Sequence, residues 1–139
     1  MLNSYYTEKL LGLQEVSIKK VNDTKENYEI FIEQPRKQCV CPVCGKLTDK
    51  VHDYRMQRIK ELSAFEKPVV LVLRKRRYAC SCGKRFAEPN SFLPKYQRMT
   101  QRTILALIDR LRDCRSYSSV TREFRLSVPT VIRFFRNVR

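Results

Sequence analysis

The chain has 139 residues, 29 of them Lys or Arg and 14 Asp or Glu, which gives a formal net charge of +15. This length allows one ordinary domain or two to three very small ones, and small domains bury proportionally less apolar surface. No apolar run approaches the roughly 18 residues of a membrane-spanning helix, and the N-terminus lacks the layout of a signal peptide. We therefore expect a cytoplasmic protein with no membrane partner, in which clustered cysteines bind metal or perform redox chemistry rather than form disulfides.

The positive charge is concentrated after residue 38. Residues 1–38 carry 6 basic and 6 acidic side chains, so residues 39–139 carry the other 23 and 8. This imbalance predicts a polyanionic partner, and we expect double-stranded DNA. A solvated basic surface is the plainer alternative. A membrane surface is disfavoured because the sequence contains no long basic amphipathic helix with aromatic anchors.

The first segment, residues 1–38, predicts a small αββ cap. Its "SYYTEKLLGL" indicates a short helix. The runs "EVSIKKV" and "YEIFIEQ" flank a turn-like "NDTKEN", which favours a β-hairpin. The overall prediction is an α+β protein in which this cap precedes a zinc-ribbon-like β-hairpin domain and a C-terminal helical domain.

The second segment, residues 39–90, has cysteines at both ends of two β-rich runs. Cys41 and Cys44 stand in a Cys-x-x-Cys-Gly turn, and Cys80 and Cys82 in a Cys-x-Cys-Gly turn. Each turn can direct two thiolates to one point, and four thiolates complete a tetrahedron around Zn²⁺. The pattern predicts one structural zinc, although the second spacing is one residue shorter than usual. Buried cysteines without a ligand are the alternative.

Two further residues compete for ligand positions. Cys39 could replace Cys41, but Cys41 belongs to the knuckle, so we expect Cys39 to be a spare thiol. His52, the only histidine, lies in a strand-like run, where we expect a structural or DNA-facing role rather than metal binding. Thioredoxin-like redox chemistry would need a βαβ context, which the β-rich flanks do not offer.

The third part consists of a linker at residues 91–98 and a helical domain at residues 99–139. In the domain, Thr100 can cap a first helix whose apolar residues recur at helical spacing. The stretch from Ser118 to Val138 then predicts two short helices joined by a tight turn, with Ser118 or Ser119 capping the first and Ser127 the second. This is a helix-turn-helix pattern; a generic αα-hairpin is the alternative, because Arg125 occupies the turn where many such motifs have glycine.

Two groups of residues are predicted to contact DNA. Thr130 and Arg133 lie early in the second short helix, where base edges can be reached, and Arg136 and Arg139 are nearer phosphates. The basic run in the hairpin is predicted to follow the phosphate backbone. It comprises Arg74, Lys75, Arg76 and Arg77.

The motifs "CPVCG", "VHDYRMQRIKEL" and "PVVLVLRKRRYACSCGKRF", followed by the helix-turn-helix, resemble the N-terminal half of bacterial ISL3-family insertion-sequence transposases. The resemblance covers the chain from about Cys39 onward. It implies zinc ligation by Cys41, Cys44, Cys80 and Cys82. In that family these regions precede a catalytic domain with an RNase H-like fold and acidic DDE metal ligands.

This sequence stops at Arg139, so we expect no enzyme activity from it. The resemblance implies a truncated DNA-binding head that recognises the terminal inverted repeats of a transposon, in the bacterial cytoplasm and at the nucleoid. A catalytic transposase half or a second copy of the chain would be its protein partner. The alternative is a stand-alone zinc-ribbon and helix-turn-helix transcription regulator, which would use the same residues on a promoter.

Overall fold

A computed structural model of the chain describes residues 4–13, 15–113 and 115–136. The fold is α+β, as predicted. A mixed sheet is followed by three C-terminal helices. The elements, in chain order, are α1 (Ser4–Leu11), β1 (Ser17–Asp23), β2 (Tyr28–Glu33), β3 (Cys39–Val40), β4 (Leu47–Thr48), β5 (Val51–Ala64), β6 (Lys67–Ala79), β7 (Arg85–Ala87), α2 (Gln101–Arg112), α3 (Tyr117–Phe124) and α4 (Val128–Arg136).

The main sheet has the strand order β1-β2-β6-β5, and β7 continues on the β2 side of β6. Strands β1 and β2 form the predicted antiparallel hairpin. Strand β2 also pairs in parallel with the first half of β6, from Tyr28 opposite Val69 to Ile32 opposite Leu73. The long β5 and β6 are antiparallel. Main-chain hydrogen bonds therefore join the predicted cap to the predicted hairpin domain in one sheet.

One hydrophobic core lies on a single face of this sheet. Alternate residues of a strand point to the same face, and Ile59, Leu71 and Leu73 are fully buried there. Phe92 packs into the same core with 7% of its surface exposed. Residues 91–98, predicted as a linker, thus contribute an anchoring side chain to the sheet. The remaining buried members of this core are Leu11, Ile30, Ile32 and Val69.

A second core holds the three C-terminal helices together. As predicted, Thr100 caps α2, and its side chain accepts a hydrogen bond from the Thr103 main-chain N–H. Helix α3 begins earlier than predicted, because Ser116 rather than Ser118 or Ser119 accepts from the main-chain N–H of Ser119. The earlier start lets Tyr117 pack edge-on against Phe135. The buried members of this core are Met99, Leu107, Leu111, Val120, Val131 and Phe134.

Two adjacent residues of β5 fasten the helices to the sheet. The buried Glu61 carboxylate accepts hydrogen bonds from Arg102, Thr100 and Thr103 around the N-terminus of α2. Lys60 Nζ donates to the carbonyls of Phe124 and Arg125, at 3.0 and 2.9 Å, where α3 ends. Each charge has the sign that the adjacent helix dipole favours. This pair of contacts, which we call the β5 joint, fixes the helical domain against the sheet edge.

Candidate metal centre and nucleic-acid interface

Two tight turns present the four predicted zinc ligands. In the first, between β3 and β4, the Cys41 N–H donates to the Lys46 carbonyl at 2.9 Å, and Gly45 has φ +73°. In the second, between β6 and β7, the Cys80 N–H donates to the Lys84 carbonyl, also at 2.9 Å. Gly83 there has φ +89°. The turn with the shorter Cys-x-Cys spacing therefore closes in the same way as the usual one.

The four sulfur atoms converge on one point. The Cys41 and Cys82 sulfurs are 3.7 Å apart, the Cys44 and Cys80 sulfurs 3.4 Å, and all four lie within 4.8 Å of one another. A tetrahedron of thiolates about 2.3 Å from Zn²⁺ has sulfur–sulfur edges of about 3.8 Å. Four soft donors in this geometry suit zinc and leave no open coordination position, as in structural rather than catalytic sites.

Neighbouring hydrogen bonds set different pKa values for the thiols. The Cys82 backbone N–H, together with the Cys44 side chain, lowers the pKa of Cys80 to about 6. A backbone hydrogen bond from Lys46 lowers the pKa of Cys44, but the contact with Cys80 and burial outweigh it and raise that pKa to about 11. Metal ligation requires the thiolate form of each cysteine, so binding of a metal releases any protons that these thiols carry.

Neither of the two competing residues belongs to this cluster. Cys39 is buried at the start of β3, opposite Thr48, and its sulfur lies 3.7 Å from the Lys37 carbonyl. His52 is exposed on β5. The other cysteine, Cys114, is outside the described residues.

The basic run of β6 is divided between two faces of the strand. Arg76 is only 6% exposed, and its guanidinium donates to Glu33 at 2.6 Å, to Glu88 at 3.4 Å and to the Gln34 carbonyl. These partners hold the charge inside the protein. Burial therefore removes Arg76 from the predicted DNA contacts and makes it a structural residue of the sheet.

The other three members of the run remain accessible. Arg74, on the same face as Arg76, stacks over the ring of Tyr54 at 3.8 Å and lies 3.6 Å from Glu33. Lys75 and Arg77 are half-buried and lie on the opposite face, since side-chain direction alternates along a strand. Their contact with DNA stays a prediction.

The turn between α3 and α4 accommodates a non-glycine residue. Arg125 has φ 52° and ψ 49°, the left-handed conformation that glycine adopts most easily. The Leu126 N–H donates to the Thr121 carbonyl at 3.1 Å, which closes the turn. The Arg125 carbonyl is one of the two that Lys60 binds. Arginine thus occupies, in a left-handed conformation, the turn position where many helix-turn-helix motifs have glycine.

Helix α4 has one buried and one exposed face. Val131 and Phe134 are buried, whereas Arg133 and Arg136 are exposed and form no ion pair with any acidic residue in the described ranges. Thr130 is half-buried, and its hydroxyl lies 2.8 Å from that of Ser127. Arg139 is outside the described residues.

Comparison with known proteins agrees with both parts of this arrangement. Residues 30–83 match the zinc-finger of transposase IS204/IS1001/IS1096/IS1165, and residues 88–138 match the helix-turn-helix domain of transposase family ISL3. The chain belongs to the ISL3 transposase family. With the zinc-finger match over the converging cysteines, Cys41, Cys44, Cys80 and Cys82 form the site of one structural Zn²⁺.

One relative shows how much of such a protein these residues represent. The transposase for insertion sequence element IS1001 of Bordetella parapertussis is 31% identical over 135 residues, which cover 94% of this chain and 33% of that protein. The chain thus spans about a third of the length of this ISL3-type relative. No solved structure matches the chain. None of the helices in the described part of the chain has the length and apolar character needed to cross a membrane.

Proposed function

We propose that this chain is the zinc-dependent, sequence-specific DNA-binding head of an ISL3-type transposase and that it recognises the terminal inverted repeats of its element. The observation that carries the proposal is the exposed face of α4. Two arginines that have no acidic partner among the described residues lie there, on a helix that Val131 and Phe134 anchor to a core. The second helix of a helix-turn-helix lies in the major groove with its early residues at base edges.

The residues of α4 have separate roles in this proposal. Arg133 reads a base edge, since a guanidinium can bind guanine O6 and N7 with two hydrogen bonds. Arg136, one turn later, binds phosphate, as does Arg139. The Thr130 hydroxyl is shared with Ser127, so Thr130 contacts a base through its methyl group, which suits a thymine methyl.

We further propose that residues 1–139 bind the element end without cutting it. Two-metal DNA cleavage needs carboxylates that converge on a pair of cations. In the described part of the chain the buried carboxylates of Glu61 and Glu88 are instead engaged by arginines. Cleavage would belong to a catalytic region in a longer chain or in a separate polypeptide, and the complex would act at the bacterial nucleoid.

Equilibrium binding tests this function directly. The zinc-loaded protein is titrated by fluorescence anisotropy against a duplex from its own element's end and against a scrambled duplex of equal length, at one salt concentration. We expect affinity for the end to be at least ~10³-fold higher, the lower range for specific DNA-binding proteins. Equal affinities would contradict the proposal. A stronger preference for a promoter than for the element end would favour the transcription regulator instead.

A further inference from the structure

A basic groove crosses the part of the sheet that the hydrophobic core leaves uncovered. It has a volume of about 660 Å³ and is lined by residues of β5 and β6, by Ala87 of β7 and by Arg98, which precedes α2. No acidic side chain is among its lining residues. Its basic lining residues are Arg55, Arg58, Lys75, Arg77 and Arg98.

The strand register brings these cations together. Arg55 is directly opposite Lys75, and Asp53 is opposite Arg77. Residues opposite each other in an antiparallel pair lie on the same face, with Cβ atoms about 5 Å apart. Like charges at this spacing are unfavourable in a sheet. Repulsion between Arg55 and Lys75 therefore destabilises the free protein, and a bound anion would offset this repulsion.

Only two of the five basic residues of the groove form ion pairs in the described part of the chain. Arg77 donates to Asp53 at 3.1 Å, and Arg58 to Glu29 at 2.8 Å. Arg55, Lys75 and Arg98 form no ion pair with the acidic residues that the structure describes. These three side chains, which we call the groove triad, give the site its excess positive charge.

The groove is held in a fixed position relative to the helix-turn-helix. The Arg98 carbonyl accepts a hydrogen bond at 2.8 Å from the N–H of Lys60, the residue that binds the end of α3. Arg55 lies five residues earlier on the same strand, or about 17 Å at 3.3 Å per residue. The groove triad thus starts at the β5 joint and ends well within the ~34 Å of one turn of duplex DNA.

We infer that this groove binds the phosphate backbone of the duplex beside the site that α4 reads. The inference rests on the proposed function, which supplies the DNA, and it adds a second contact surface on the sheet. Guanidinium and ammonium groups bind phosphates without reading sequence, so the groove would add affinity and salt dependence rather than specificity.

Two matched variants test the groove. The groove variant is Arg55→Ala/Lys75→Ala/Arg98→Ala. The control variant, Lys19→Ala/Lys20→Ala/Lys25→Ala, also loses three positive charges, all from exposed positions in the β1–β2 hairpin. Circular dichroism checks that both keep the fold, and Lys75→Ala alone provides a milder version of the test.

Salt titrations on the element-end duplex give the readout. Each phosphate contact adds about 0.9 to the slope of log affinity against log salt, so the groove variant should lose roughly 2 to 3 from that slope and at least ~10-fold in affinity. The control variant should keep the wild-type slope. Equal slopes for the groove variant and wild type would overturn the inference.

Duplex length supplies an independent outcome. Wild-type protein should bind a duplex extended by one helical turn on the groove side more tightly than one limited to the recognition site, and the groove variant should not distinguish them. If wild-type protein prefers the element end over scrambled DNA but the groove variant behaves like wild type, only the groove inference fails. If wild-type protein shows no such preference, the proposed function itself fails.

Discussion

At the scale of single residues, two arginines on one face of β6 have opposite environments. Arg76 is buried with Glu33 and Glu88, whereas Arg74 is half-exposed over Tyr54. The run of four basic residues predicts four similar DNA contacts, because the sequence alone does not reveal which of the side chains other segments cover. The alternation of β6 was readable, but the acidic partners of Arg76 come from β2 and from the segment after β7.

We predict that Arg76→Ala lowers the free energy of unfolding by about 3 kcal/mol, since removing one partner of a buried ion pair leaves the other charges uncompensated. Arg74→Ala should cost less than ~1 kcal/mol, as is usual for exposed pairs. Urea denaturation monitored by circular dichroism measures both values. Similar losses for the two variants would show that Arg76 is not the buried partner described above.

At α4 we predict that Arg133→Ala costs about 1–3 kcal/mol of binding to the element end and relaxes the preference at one base pair. Its affinity for scrambled DNA should hardly change. Arg136→Ala is the control and should weaken binding to both duplexes by the same factor, because phosphate contacts carry no sequence information. If Arg133→Ala lowers the affinity for both duplexes by the same factor, Arg133 contacts phosphate rather than a base.

At the scale of elements, the turn between α3 and α4 tolerates Arg125 in a left-handed conformation. A side chain in that conformation costs roughly 1 kcal/mol relative to glycine. Burial, and to a smaller extent the charge of Arg125, also lowers the pKa of Lys60, which binds this turn. The turn nevertheless forms because its hydrogen bonds and the β5 joint stabilise it.

We therefore predict that Arg125→Gly raises the free energy of unfolding by about 0.5–1 kcal/mol. The matched control is Arg122→Gly, an exposed position within α3, which should lower it by about 1 kcal/mol. Thermal and urea denaturation of the two variants provide the comparison. If both glycines destabilise the protein equally, the left-handed conformation of Arg125 is not a source of strain.

The elements also show which features sequence patterns could predict. The β1–β2 hairpin, the two knuckles and the Thr100 cap depend on local periodicity and turn chemistry, and all three agree with the structure. The parallel pairing of β2 with β6 is a long-range contact that no local pattern specifies. Sequence patterns place Phe92 in a linker, because the polar residues and the proline around it mask its role in the core.

At the scale of the whole molecule, the zinc site joins two distant turns of the chain. It holds the β3–β4 turn against the β6–β7 turn, and its four cysteines are not among the residues of the hydrophobic core of the sheet. Because metal-binding free energy in small domains is largely folding free energy, the site stabilises the end of the long hairpin. The β5 joint extends this rigid frame to the helices.

We predict one Zn²⁺ per chain, and unfolding of the zinc-ribbon region when Cys41, Cys44, Cys80 or Cys82 is changed to Ser. Cys39→Ser should have a mild effect, since its sulfur lies outside the cluster, and Cys114→Ser is expected to be mild as well. Elemental analysis and circular dichroism of freshly purified reduced protein measure metal content and fold. Absence of zinc, or equal damage from Cys39→Ser, would contradict this assignment.

A hydroxyl-radical footprint tests recognition of the element end most directly, with the zinc-loaded protein on a fragment that contains its element's end and flanking DNA. We predict a protected stretch within the terminal inverted repeat, weakened by Arg133→Ala. Protection distributed evenly over the end and the flanking DNA would contradict sequence-specific recognition of the element end.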